Sequence, residues 1–144
     1  MSRVINPASA GKERNLLTKS VVLAIRELAQ QSEPGAESRD LAAFMALALA
    51  TISETIDVTV APWEKRDYWV KADKFRMDWA WSGQYAEQIK QAIYKDDWEN
   101  IARIAAQTAQ KLNKVTVPTG HHLGRPWAGA MSELQKKEHK IKTP

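Results

Sequence analysis

The chain has 144 residues, of which 44% are hydrophobic and 26% are charged, a composition typical of a single globular domain. The absence of cysteine excludes disulfides, thiolate zinc sites and a cysteine nucleophile. The formal charge of +4 resides in the C-terminal quarter, because residues 111–144 contain seven Lys and Arg against two Asp and Glu. The basic character therefore says little about the partners of the main body.

The first predicted helix covers residues 12–31. Asn6 and Pro7 suit a helix N-cap and a first helical position, although Gly11 favours a later start. Apolar residues then recur at spacings of three and four, which indicates one apolar stripe. A Pro-Gly pair at 34–35 predicts the end of this element.

The second helix is predicted over residues 39–57, and Pro62 is expected to end or kink it. Its run LAAFMALALA at 41–50 is shorter than the roughly 20 apolar residues that cross a membrane, so it indicates a buried core helix. The N-terminus has no apolar segment typical of a secretory signal. We expect a soluble, cytoplasmic protein with no membrane contact.

The third predicted helix covers residues 62–94, with a kink at residues 82–83. The stretch WEKRDYWVKADKFRMDWAW at 63–81 holds four of the six tryptophans. An advance of about 100° per residue gives this stretch three faces. The face predicted as core carries Tyr68, Ala72, Phe75, Trp79, Ala86, Ile89 and Ile93.

Two further faces of this helix also carry aromatic residues. A surface helix of a monomer needs one apolar stripe, so either the bundle surrounds this helix or another molecule covers the surplus face. Our leading expectation is that the surplus aromatic side chains contact a protein partner, either a second copy or another protein. The residues predicted for this protein interface are Trp63, Trp81, Tyr85 and Trp69. Val70 and Met77 fall on the same face as Trp63 and Trp81.

Charged residues on the same stretch give no clear positive field. Five basic and four acidic residues lie between positions 63 and 81, and several are spaced three or four apart, where they pair along a helix. Nucleic-acid binding draws most of its affinity from phosphate neutralisation. A protein partner is therefore favoured over nucleic acid for this helix.

The fourth helix is predicted from the sequence DDWE at 96–99, which has the spacing of a capping box. Residues 115–130 are predicted as an ordered loop. Ser132 and Gln135 then suit the cap of a short last helix. The chain is thus predicted to be all-α: a single antiparallel bundle of four main helices over residues 1–130, including that loop, with a short helix and basic tail over 131–144.

Two acidic pairs are candidate metal ligands. Glu54 with Asp57, and Glu64 with Asp67, have the spacing ExxD. All-helical nucleotide pyrophosphohydrolases, which this chain resembles in class and motif type, hold Mg²⁺ with such pairs on facing helices. Only six residues separate Asp57 from Glu64 here, which departs from that pattern. A metal site and Mg-dependent nucleotide hydrolysis are therefore the third hypothesis, and no metal or cofactor is our leading expectation.

His121 and His122 are interpreted as part of a packed connector whose histidines bond to backbone, with a ligand-contacting loop as the alternative. A nucleic-acid accessory role is the second hypothesis for the chain, by analogy of size and class with the small helical subunits of RNA-guided complexes. Its phosphate contacts would be Arg66, Arg76, Arg125, Lys136, Lys137, Lys140 and Lys142. The leading hypothesis is a non-enzymatic protein-interaction or oligomerisation module, a subunit of a larger assembly.

Overall fold

A computed structural model describes the backbone of residues 6–142 and the side chains of residues 6–138. The described chain forms five helices that pack against one another, which confirms the predicted all-α bundle of four main helices and a short C-terminal one. They are α1 (Pro7–Ala29), α2 (Ala36–Lys65), α3 (Trp69–Tyr94), α4 (Trp98–Lys111) and α5 (Ala130–Lys142).

Helix α2 is the centre of the bundle. It packs most extensively against α3, then against α1 and α5. Its largest fully buried side chains are Leu41, Met45, Leu49 and Ile52. By length and composition α2 could cross a membrane, but 56% of its most apolar stretch is buried inside the bundle, an arrangement compatible with the core helix of a soluble protein.

Helix α1 begins earlier than its predicted start. Asn6 is the N-cap, since its Oδ1 accepts a hydrogen bond of 2.9 Å from the backbone N–H of Ala8, and Pro7 is the first helical residue. The helix continues through Gly11, because one glycine costs only about 1 kcal/mol within a 23-residue element.

Pro62 does not end α2, although that is one of the two outcomes predicted for it, and the predicted end of this helix at residue 57 is too early. The helix continues to Lys65, so residues 62–65 belong to α2 and not to the following helix. The last turn has contacts of its own: Val60 is fully buried, and Glu64 accepts a 3.1 Å hydrogen bond from Arg76 on α3. These contacts offset the backbone hydrogen bond that proline lacks.

Gly83, where the sequence indicates a kink, has a packing role in the structure. Helix α3 is continuous through Ser82 and Gly83. A Cβ atom at Gly83 would lie 2.9 Å from the Oγ of Ser53 on α2, closer than packed atoms come. Glycine at this position therefore permits the close approach of the two central helices.

The C-terminal segment is held against α2. The carboxylate of Asp40 accepts hydrogen bonds from the backbone N–H groups of Gly129 (3.2 Å) and Met131 (2.9 Å), at the start of α5. Ser132, the predicted cap, lies inside this helix. Trp127 is only 3% exposed and packs in the core, so it anchors the preceding loop. A carboxylate from another helix thus supplies the capping that the local sequence was expected to provide.

Candidate protein-interaction surface

The connection between α2 and α3 is a tight helix termination. The N–H of Tyr68 donates to the carbonyl of Trp63 (2.9 Å), and the N–H of Asp67 donates to that of Glu64 (3.1 Å). This is the Schellman pattern, and Asp67 takes the left-handed position with φ of 63°. Aspartate tolerates that conformation better than most residues do. The first three residues of α3 after this turn, Trp69, Val70 and Lys71, are all exposed.

Four large apolar side chains are exposed at this turn and on the first turns of α3. They are Tyr68 (52% exposed), Trp69 (53%), Val70 (85%) and Met77 (78%), and we call them the aromatic tip. They make up four of the six large apolar side chains that are exposed among the described residues. Exposed apolar residues are ordinary when scattered singly, but a cluster marks a contact surface.

Next to the aromatic tip, five aromatic rings contact one another in a row that we call the ladder: Trp63 at the end of α2, and Phe75, Trp79, Trp81 and Tyr85 on α3. Ring centroids are separated by 5.4 Å from Trp63 to Phe75, 6.5 Å to Trp79, 5.8 Å to Trp81 and 5.6 Å to Tyr85. These distances lie within the range of favourable aromatic pairs. Most of the surplus aromatic area predicted from the sequence is therefore used inside the monomer.

The side chain of Arg14 lies against two rings of the ladder. The guanidinium of Arg14 on α1 lies 5.0 Å from the ring centroid of Phe75 and 5.6 Å from that of Trp79. It also donates to the hydroxyls of Thr55 and Thr59 on α2, at 3.2 Å each. Burial lowers the pKa of Arg14, because desolvation disfavours the charged form. Arg14 thereby joins all three long helices at the end that carries the aromatic tip.

The four residues predicted for the protein interface fall in different environments. Trp69 is exposed, as an interface anchor must be. Trp81 is only 9% exposed, so its predicted exposure is wrong: neighbouring helices cover it. Trp63 belongs to the last turn of α2, where the Nζ of Lys71 lies 4.3 Å from its ring centroid. Trp63 and Tyr85 are half-buried.

The cations predicted for nucleic acid lie at separate places. Arg76 forms ion pairs with Asp57 and Glu64, and these hydrogen bonds raise its pKa. Arg125 pairs with Glu37 in the first turn of α2, whereas Arg66 directly follows the other end of that helix. Lys136 and Lys137 are exposed on α5; the side chains of Lys140 and Lys142 lie outside the described residues.

The candidate metal ligands do not converge. Asp57 and Glu64 both contact Arg76, Glu54 is exposed on α2, and Asp67 lies in the turn. No group of three or more acidic or histidine residues that could hold a metal ion occurs among the described residues. The arginine occupies the position between the two acidic pairs that a cation would need.

His121 and His122 lie in the loop before α5. The Nδ1 of His121 accepts a hydrogen bond of 3.3 Å from the backbone N–H of Leu123, and His122 is exposed. Val117 and Trp127, both buried, fasten the two sides of this loop to the core. The contact of His121 is the backbone hydrogen bond expected of a packed connector.

Sequence reasoning missed an apolar pocket between the end of α1 and the start of α4. Its volume is about 310 Å³, and its wall is mostly apolar. The principal lining residues are Ile25, Leu28, Trp98, Ile101, Ala102 and Ala105, with Ser38 and the loop at 31–34 at one side. The apolar members of this set recur at spacings of three and four on α1 and α4, but periodicity does not tell whether two apolar stripes meet or leave a gap.

Comparison of the chain with protein-family models, with curated proteins and with solved structures finds no match.

Proposed function

We propose that this protein is an interaction module that binds another protein molecule, either a second copy of itself or a different chain, through the aromatic tip. The observation that carries the proposal is the concentration of exposed large apolar side chains within residues 68–77. Interfaces are enriched in Trp, Tyr and Met, the residue types that form most of this cluster.

The conformation of the tip also supports this role. Trp69 and Val70 form the first turn of a 26-residue helix, and two backbone hydrogen bonds fix the turn that precedes them. Arg14 and the ladder hold that helix against α1 and α2. A rigid apolar anchor loses little conformational entropy on binding, which raises affinity for a partner.

The size of the tip sets its role within a larger interface. A standard interface covers about 800 Å² on each partner, which is more than four partly exposed side chains provide. The tip therefore acts as the anchor, and the rest of the interface comes from the charged residues around it. Of these, Lys65, Arg66, Lys71 and Lys74 are exposed.

Photo-crosslinking tests the proposal directly. A benzophenone amino acid replaces Val70, which is 85% exposed, and the chain is irradiated in cells of its source organism. We expect a discrete crosslinked species, whose mass identifies the partner as a second copy or as another protein. The additional substitution Trp69→Ala should abolish the species by removing the anchor.

The matched control places the same amino acid at Gln84, which is exposed on α3 away from the tip. Crosslinking from position 70 alone supports the proposal. The same pattern from both positions, or none from position 70, contradicts it.

A further inference from the structure

We propose that the occupant of the apolar pocket is the aromatic tip of a second copy, so that copies associate head to tail. This inference rests on the proposed function and specifies its partner. It joins two features that the described monomer leaves unfilled: an exposed apolar projection and an apolar cavity of about 310 Å³.

The two features lie at opposite ends of the bundle. Ser38, in the first turn of α2, lines the pocket, and the last residue of α2, Lys65, precedes the tip. At 1.5 Å per residue, this 30-residue helix separates the two ends by about 45 Å. A tip therefore cannot reach the pocket of its own chain.

The pocket has the size and chemistry to receive the tip. A cavity of about 150 Å³ accepts benzene, so the volume of about 310 Å³ is enough for an indole ring together with a neighbouring side chain. The indole N–H of Trp98 donates to Asp96 at 2.8 Å, which fixes one aromatic wall. Trp69, with Val70 beside it, offers the matching apolar surface.

The charges around the two features are complementary. Residues 65–74, which contain most of the tip, include four basic side chains and two acidic ones. The two segments beside the pocket, 30–35 and 95–100, include four acidic side chains and one basic one. Complementary fields of this kind select a partner and speed its association.

The geometry defines the kind of assembly. A contact between two different surfaces is heterologous, and it generates a ring only if the rotation between copies closes. Here the two surfaces are at opposite ends of an elongated bundle. Each added copy leaves one tip and one pocket free, so association continues beyond the dimer, as an open chain or until a ring closes.

Two variants test the two surfaces of this contact one at a time. Trp69→Ser removes the anchor and leaves the pocket intact. Ala102→Lys fills the pocket from an exposed position on α4, adds a charge that repels the basic tip, and leaves the tip intact. Leu16→Ser, at 54% exposure on α1, and Gln110→Lys, exposed on α4, are the matched controls.

Sedimentation velocity over a range of concentrations is the measurement. We expect the wild type and both control variants to form a series of species larger than the monomer, and Trp69→Ser and Ala102→Lys each to lose all of them. An equimolar mixture of these two variants should form a dimer and nothing larger, because one functional tip then meets one functional pocket.

Three outcomes would overturn the inference. Association of Ala102→Lys like the wild type would show that tips contact each other or another surface. A monomeric mixture would show that tip and pocket do not meet. A monomeric wild type would exclude self-association, and if position 70 still crosslinked a different protein, the proposed function would stand while this inference failed.

Discussion

The two ends of α3 differ in what surrounds them. Helices α4 and α5, with 14 and 13 residues, begin at the pocket end and are less than half as long as the 30-residue α2. Of the five described helices, only α1, α2 and α3 reach the other end. Along one face of α3 the exposure is 85% at Val70, 78% at Met77 and 9% at Trp81.

This contrast shows what periodicity determines and what it does not. Residues spaced by seven or eleven share a helix face, as Val70, Met77 and Trp81 do. Whether that face is buried depends on how far the neighbouring helices extend. The aromatic tip is thus a consequence of unequal helix lengths in the bundle.

The largest effect is expected from replacing a tryptophan in the covered half. Trp81→Ala should lower the free energy of unfolding by about 3–5 kcal/mol, because it removes a buried ring that stacks between two others. Trp69→Ala should change it by no more than about 0.5 kcal/mol, since that ring is half exposed. Urea unfolding followed by circular dichroism measures both. Equal losses would refute the contrast between the two ends.

A smaller effect is expected at the junction behind the tip. Arg14→Ala should lower the free energy of unfolding by about 1–2 kcal/mol, through loss of the ring contacts and of the hydrogen bonds to Thr55 and Thr59. Lys12→Ala, at an exposed position of the same helix, is the control. If the two variants unfolded at the same urea concentration, the stability of the protein would not depend on the contacts of Arg14.

The smallest effect is expected at the solvent edge of the covered half. Hydrogen bonds from Lys90 and then Gln91 lower the pKa of Glu87. Its contribution is therefore present above the unfolded-state pKa and lost as the pH falls through the folded-state value. With 59% of this side chain exposed, the contribution is a few tenths of a kcal/mol.

Urea midpoints at pH 7 and pH 3 measure this contribution. Glu87→Gln should unfold slightly earlier than the wild type at pH 7, and the difference should vanish at pH 3. Gln84→Ala, which changes an exposed uncharged side chain on the same helix, should shift the urea midpoint equally at both pH values. A Glu87→Gln deficit that persisted at pH 3 would contradict the assignment.

Much of the fold follows from local sequence. The Asn6 cap, the break at 34–35 and the start of α4 are set by residues within one turn, so they are predictable. The cap of α4 is Asp97, one residue after the Asp96 that the capping-box spacing indicates, and its carboxylate accepts from the N–H of Asn100 at 3.1 Å. The cap of α5 comes from Asp40, about 90 positions earlier, and local sequence cannot reveal such a partner.

The candidate surface was predictable in part. The sequence identified Trp69 and the face of Val70 and Met77. Trp63 belongs to α2 and not to the predicted third helix, because a turn with Asp67 in the left-handed position divides residues 63–81. That turn usually carries glycine, so an aspartate gave no signal. Trp81 shares a face with Val70 and Met77 but is only 9% exposed, and periodicity alone does not reveal how far neighbouring helices extend. The pocket depends on the spacing between α1 and α4, which are distant in sequence. Local sequence patterns carry no information about that spacing.

Because Trp69 is exposed, its intrinsic fluorescence reports on what contacts the tip. The other five tryptophans are buried or half-buried, so the indole of Trp69 is the most open to water and to soluble quenchers. Because exposed basic residues surround it, iodide is attracted to this ring. A partner seated on the tip would shift the emission to the blue and protect it from iodide, without any label attached to the protein.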